Sequence, residues 1–467
     1  MGIIGKRLRR NLCSAAAIIV GLGPLAVSAE TLTDTLIDAY RNSNLLEQNR
    51  ALLRVADDNV AVALSEVLPS LDFVTSYGGY ANHREVYGSN FESNDNLIAT
   101  FALQASMTLY AGGRNRLAIE SEKETVLATR EALRAVEQNV LLQAVSAYMG
   151  VLRAEAFVNL RENNVRVLTQ EKQATEDRFE VGEVTRTDVA LAESRLAAAV
   201  SLLEAARGDY EVARETFKTA VGRYPGDLAF PGGLPATAAS VQEAVNVGVR
   251  IHPTIRQAQR EVTVAELGMK IATAGYLPSI TATVDSETNS NDQVEEHSLF
   301  FNLRQPIYQG GRLAALERQS IAQRDASRSN LLQVTLGIEE DVATAWARLD
   351  VAKAQIQATE LQIEAAQIAF DGTREEATLG ARTTLDVLDA EQELLDARAS
   401  RIDAIATQYV AVYSLLSAMG LLTVDHLNLG IQTYDPAGYY NAVKSAPARL
   451  SPRGQQLDRV LRKIGQQ

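Results

Sequence analysis

Thiol chemistry is nearly absent from this sequence: among 467 residues there is one cysteine, Cys13. It lies in a leader-like start, where Lys6, Arg7, Arg9 and Arg10 precede an apolar run from Ala15 to Val27. Val27-Ser28-Ala29 then offers small residues for a signal peptidase, so residues 1–29 read as a signal peptide. Beyond Ala29 there is no thiol, which excludes thiolate catalysis and cysteine-ligated metals and suits an oxidising compartment. Histidine is as sparse, with His83, His252, His297 and His426 scattered and no His-Glu-x-x-His. Gly-x-Ser-x-Gly, phosphate-loop and dinucleotide glycine patterns are missing too, so neither an enzyme nor a cofactor is expected. Positive charge is scarce: the net charge of −13 becomes −17 once the four leader cations are cut away, and a nucleic-acid partner is excluded. After Ala29 no apolar run approaches the roughly 18 residues of a membrane helix, which argues against an inner-membrane protein.

What the chain does have, it has twice. Gly112-Gly113-Arg114 returns as Gly310-Gly311-Arg312, a shift of 198 positions. The same shift carries Gly182 onto Gly380, Asp188-Val189 onto Asp386-Val387 and Gly222 onto Gly420. Leu68-Pro69-Ser70 matches Leu277-Pro278-Ser279 at a shift of 209, so the first copy holds 11 extra residues between these motifs. A duplicated unit of this length points to two large modules in one pseudo-symmetric object. The expected division is a first repeat at 30–222, a turn-rich connector at 223–238, a second repeat at 239–420, and a partly disordered tail at 421–467. The tail is locally basic, with Lys444, Arg449, Arg453, Arg459, Arg462 and Lys463.

Each copy reads as helix, two strands, a long helix and a return helix. In the first copy these are Thr31–Glu66, Leu71–Asn82, Asn96–Tyr110, Gly113–Val181 and Thr187–Val221. In the second they are Val241–Gly275, Ser279–Asp285, Ser298–Tyr308, Arg312–Leu379 and Thr384–Met419. Between Gly113 and Val181 there is no proline and one glycine, Gly150. A helix of about 67 residues there would be a rod on the order of 100 Å long. Along the return helix, Ala192, Leu196, Ala199, Leu203, Ala206, Tyr210, Ala213 and Phe217 step by three and four, a coiled-coil seam.

In Leu97–Tyr110 the odd positions are all apolar and the even ones largely polar, the pattern of a tilted transmembrane strand or of a half-buried soluble one. Four strands cannot close a membrane barrel, and open edges are costly in lipid, so a spanning sheet must be shared between chains. Two chains would give eight strands and three would give twelve. The extra residues of the first copy place Asn82–Asn96, including Ser89, in an expected extracellular loop.

At the far end of each rod the chain turns back through Val181-Gly182-Glu183-Val184-Thr185-Arg186-Thr187-Asp188 and through Leu379-Gly380-Ala381-Arg382-Thr383-Thr384-Leu385-Asp386. Glycine ends one helix, threonine caps the next, and aspartate sits in its first turn against the helix dipole. Asp389 lies on the same helical face as Asp386, whereas the first copy has Leu191 there. It is either an ordinary exposed carboxylate or part of a negative ring where symmetry-related chains converge.

The twofold plan, both Gly-Gly-Arg segments and above all the Leu-Gly-Ala-Arg-Thr…Leu-Asp-Val-Leu-Asp-Ala-Glu turn resemble the TolC family of outer-membrane channel-tunnel proteins. The resemblance spans essentially the whole chain after the leader. It implies a mainly α fold with a small membrane β-part: a homotrimer with a 12-stranded outer-membrane β-barrel and a long α-helical coiled-coil periplasmic tunnel. It further implies a passive exit duct for type I protein secretion or multidrug efflux. Its partners would be a periplasmic adaptor, an inner-membrane ABC or RND-type pump, and outer-membrane lipid. By the same resemblance Asp386 and Asp389 form the periplasmic gate ring; six carboxylates converging there, on the second copy only, would make it a candidate cation site, with no other metal site expected. Arg382, Asp188 and Thr187 form the gate latch, and the tips around Gly182, Thr185, Gly380 and Thr383 receive the adaptor. Ala377 departs from the family where some members place a latch tyrosine. Tyr434-Asp435-Pro436…Tyr439-Tyr440 resembles the type I secretion branch. The rival reading is a secreted coiled-coil stalk or adhesin without a lumen.

Overall fold

Local capping chemistry decides where the first helices begin and break. In the computed structural model, which describes residues 29–86, 90–290 and 295–464, helix α1 spans Leu32–Asn42 and α2 spans Asn44–Ser65. The expected signal peptide before Ala29, and Ser89 of the expected loop, lie outside the described residues. Thr31 caps α1 in a reciprocal box with Asp34, and the single helix expected over Thr31–Glu66 is split because Ser43 caps α2 through the Leu46 N–H at 3.2 Å. The second copy is split likewise into α5, Val241–Ile251, and α6, Pro253–Ala274. Pro253 lacks an N–H and forces His252 to an extended ψ of 129°, which ends the preceding helix.

The strands are β1 (Ser70–Val86), β2 (Asn90–Tyr110), β3 (Ser279–Asn289) and β4 (Glu295–Arg304). They form one antiparallel sheet in the order β1-β2-β3-β4. The expected loop at Asn82–Asn96 is corrected: Asn82 pairs with Asn94 and Val86 with Asn90, so most of that segment extends the hairpin. Polar residues suggest a loop there, but a ladder satisfies its own backbone groups whatever the side chains. The register carries each face across all four strands. Asp72, Gln104, Asp285 and Ser298 form one polar row, while Phe73 and Leu103 lie on the opposite face, in line with Ser286 and His297. That face also carries Leu71, Phe101, Met107, Val284, Leu299 and Leu303, all exposed, so nothing among the described residues covers it.

Two rods of equal length follow the strands: α3, Arg114–Glu180, and α7, Arg312–Thr378, each of 67 residues. They return as α4, Arg186–Val221, and α8, Thr384–Ala418. The most apolar stretch of α3 matches a membrane helix in length and composition, but half of it is buried by packing. Here Leu141, Val145, Tyr148 and Met149 meet Leu36 of α1, Phe217 of α4 and Leu416 of α8 in the main core.

Part of the tail expected from residue 421 packs on the core. Leu422, Val424 and Leu429 are buried in that core, and the Val424 N–H donates to Glu137 Oε1 at 2.8 Å. Helix α9, Pro436–Val443, lies on α2, where Tyr439 donates to Asp58 at 2.9 Å, and α10 follows at Pro452–Ile464. The aromatic residues supply the apolar contact that a reading of net charge overlooked.

Candidate functional site at the hairpin tips

Both rods end by the same device. Gly182 and Gly380 adopt left-handed φ values of 81° and 74°, which closes the last turn onto the carbonyls of Phe179 and Ala377. Thr185 then caps α4: the Asp188 N–H donates to its hydroxyl, and Asp188 Oδ2 accepts from the Thr185 N–H at 2.8 Å and its hydroxyl at 2.7 Å. Thr383 and Asp386 repeat this at α8 with 2.9 and 2.8 Å. The Thr185 hydroxyl and N–H hold the Asp188 carboxyl below its ordinary range, and the Thr383 N–H and hydroxyl do so for Asp386. Both aspartates are therefore ionised helix caps within their own chain.

The two tips share an open recess of about 460 Å³ lined by Asp188, Thr185, Gly380, Arg382 and Thr383, among others. Gly182, Thr187, Asp386 and Asp389 do not line it. Arg382 is engaged within its own hairpin, donating through Nε to Glu376 Oε2 at 2.8 Å. Ala377 is buried against Phe370 and Val387 and also borders the recess.

Asp389 has a partner that the sequence reading missed. Its Oδ1 accepts from Arg195 Nη2 of α4 at 2.9 Å, with both side chains partly exposed, tying the second hairpin to the first. A signal was present in the repeat: at the shift of 198, Arg195 faces Glu393, and Leu191 faces Asp389. Charge asymmetry at two positions one turn apart marks a pair that only one seam contains. A further tie lies deeper, where Asn164 of α3 donates to Glu391 of α8 at 2.7 Å. Burial pushes the Glu391 carboxyl above its ordinary value, the Asn164 amide opposes this, and the charge of Glu171 adds to it. Glu171 in turn is paired with Arg374 of α7 at 3.0 Å. Among the described residues no single-chain cluster of three or more His, Asp or Glu is arranged to hold a metal.

The sequence profile of the outer membrane efflux protein family matches residues 36–223 and 250–421, the two repeats. The chain is 34% identical to the outer membrane efflux protein BepC of Brucella suis biovar 1 (strain 1330), over 93% of this chain and 95% of that protein. It is 24% identical to the outer membrane protein TolC of Vibrio cholerae serotype O1, over 91% and 99% respectively. Among solved structures, the Campylobacter jejuni CmeC outer membrane channel superposes with a TM-score of 0.75 at 15% identity, covering 95% of this chain and 98% of that one. With its two matched repeats and its full-length likeness to BepC, the chain belongs to the outer membrane efflux protein family.

Proposed function

We propose that three copies of this chain form one passive export duct, with a shared twelve-stranded barrel in the outer membrane and the paired rods crossing the periplasm as a tunnel. Membership of the family places the protein in the cell outer membrane, in a family of channel proteins. The observation that carries the reading is the four-stranded sheet, apolar and uncovered on one face, polar on the other, and open at both edges β1 and β4. Such edges are tolerable in lipid only if other copies close them. A stalk or adhesin has no use for this sheet. Reconstitution in planar bilayers tests the choice, because a duct conducts ions in steps and a stalk leaves the bilayer silent.

The tips are the gate in this reading, and they meet a periplasmic adaptor and an inner-membrane ABC or RND-type pump. Threefold convergence would bring Asp386 and Asp389 into one ring, with Asp386 kept charged by its Thr383 cap. A ring of fixed carboxylates favours cations and is blocked by multivalent ones. The double variant D386N/D389N is expected to lose most cation selectivity and the block by Mg²⁺ or La³⁺. Unchanged reversal potentials would reduce both residues to helix caps. R382Q, which removes the tie to Glu376, is expected to raise resting conductance and keep the cation block. R195Q should free Asp389 and strengthen that block by up to about fivefold, the range of an exposed ion pair.

A further inference from the structure

An export duct gives α10, the last described helix, no task, yet its sequence is patterned. The helix, Pro452–Ile464, opens on a cap, with the Gly454 N–H donating to Ser451 Oγ at 3.0 Å. Along it Leu457, Val460, Leu461 and Ile464 recur at three- and four-residue spacing as one apolar stripe, while Gln455, Arg459 and Arg462 fall on the opposite side. From Lys444 onward the chain carries six cations against one acid, Asp458, although its net charge is −13. Even that acid is answered, by Arg449 at 3.7 Å. Among the described residues Arg453 and Arg462 have no acidic partner. None of the buried apolar clusters there includes a residue of α10. Val460 is 52% exposed, and Leu450, just before the helix, 88%.

The tether of α10 sets what it can reach. Tyr439 of α9 holds Asp58 at 2.9 Å, seven residues short of the end of α2 at Ser65, a rise of about 10 Å. Beyond α2 the strands begin, with Leu71, Leu109 and Leu303 exposed near their helix-side ends, where the apolar belt of the sheet starts. Eight residues, 444–451, join α9 to α10 and can span up to about 26 Å when extended. The link is bent at Ala446, whose φ of 47° is a conformation that favours glycine, so relaxing it lengthens the path. The helix is therefore tethered within reach of the lipid boundary on the side of the rods. We infer that α10 is a surface anchor lying on the periplasmic leaflet of the outer membrane, its apolar stripe among the acyl chains and its cations on anionic phospholipid headgroups. This rests on the rods lying in the periplasm, as proposed above. A lipid boundary offers acyl chain and phosphate side by side, which is what a helix apolar on one side and basic on the other requires. An acidic protein surface would satisfy the cations alone. The rest of the chain is acidic and repelled by the same headgroups, so the attraction is confined to this segment. One such helix per copy would make weak single contacts add up in the assembly.

Because the sequence after the leader has no cysteine, a single introduced thiol reports on α10 in the whole chain. V460C, on the apolar stripe, and Q455C, opposite it, are labelled with an environment-sensitive fluorophore and reconstituted into vesicles of phosphatidylglycerol or of phosphatidylcholine. In phosphatidylglycerol V460C is expected to shift to the blue and to become several-fold less accessible to aqueous iodide than in detergent, while Q455C changes little. Adding R459Q/R462Q/K463Q, or raising the salt, is expected to reverse most of that protection. V460C as accessible as Q455C in phosphatidylglycerol overturns the anchor. Equal protection in both lipids, or already in detergent, overturns it too, because anionic headgroups would then not be what α10 recognises. Step conductance of the same preparations separates the two readings. Conducting protein with an exposed V460C keeps the duct and loses the anchor, and silent protein with a shielded V460C does the reverse.

Discussion

Replacing Tyr148 by alanine is expected to cost about 3–5 kcal/mol of stability, the range for truncating a large buried aromatic. Tyr148 is fully buried in the main core, and its hydroxyl lies within reach of two backbone carbonyls, Glu30 at 3.0 Å and Ala229. Those carbonyls belong to a parallel bridge that joins the start of the described chain to the connector, where the Glu30 N–H donates to Asp227 at 2.8 Å and the Ala229 N–H to Glu30 at 2.9 Å. Arg223 closes the same junction, reaching Glu30 Oε1 and Asp38 Oδ2 at 2.7 Å each. Burial pushes the Glu30 carboxyl up, but hydrogen bonds from Arg223, Thr35 and Gly226 outweigh it and hold the carboxyl below its ordinary value. Burial also pushes the Tyr148 phenol up to about 12, so it stays a neutral donor at any working pH. Truncation thus removes core volume and takes one donor away from two part-buried carbonyls. Y148F keeps the ring and is expected to lose only about 1–3 kcal/mol. Denaturant midpoints followed by circular dichroism should rank Y148A well below Y148F and both below the parent. Equal losses would mean that the ring contributes nothing and the hydroxyl everything.

The long rods were legible because helix is the default of a stretch that lacks proline and carries apolar residues every three or four positions. α3 and α7 end within a residue or two of the glycines that mark their turns. The caps at Thr185 and Thr383 were legible for the same local reason, since an aspartate three residues after a threonine can reach only a few donors. What was not legible depended on distant neighbours or on competition between caps. Ser43 reads as an ordinary helical residue until its hydroxyl is seen to accept from Leu46. Asn82–Asn96 pairs because its own partner strand faces it, a fact that side-chain polarity does not report. The tail escaped notice because Tyr434 and Tyr439 are held by Tyr40 and Asp58, some 380 or more positions earlier in the chain. Arg195 and Asp389 are separated by 194 positions and meet only when the two hairpins are side by side.

The docked tail leads to the second large expected effect, a gain in stability for D57N at neutral pH that vanishes in acid. Asp57 lies on α2 with no exposed surface, and among the described residues neither carboxylate oxygen has a hydrogen-bond partner. Tyr434 and Tyr440 of the tail pack on its neighbours Leu53, Ala56 and Val60, which keeps water away. Burial pushes its carboxyl from 3.8 up to about 6; Arg130 pulls it back, and Asp58 pushes it further up. Other charges crowd the site without reaching Asp57: Arg50 stacks on the Tyr40 and Tyr434 rings, and Arg130 on Tyr440. An acid whose pKa is raised by folding is held more tightly as the neutral form in the folded state. Its contribution is therefore fully present below about pH 4 and is lost as pH rises through 6. A rise of about two units corresponds to roughly 3 kcal/mol at pH 7.5, an upper figure because local relaxation softens it. D57N keeps the shape and removes the charge, so it should escape this loss. The readout is the difference between the two stability profiles from pH 4 to pH 7.5, which cancels the titration of every other carboxylate. The profiles are expected to coincide near pH 4 and to separate by 1–3 kcal/mol, about the cost of a buried unpaired polar group, by pH 7.5. Parallel profiles would mean that Asp57 stays charged and solvated in the folded protein, and that the tail does not seal the face of α2.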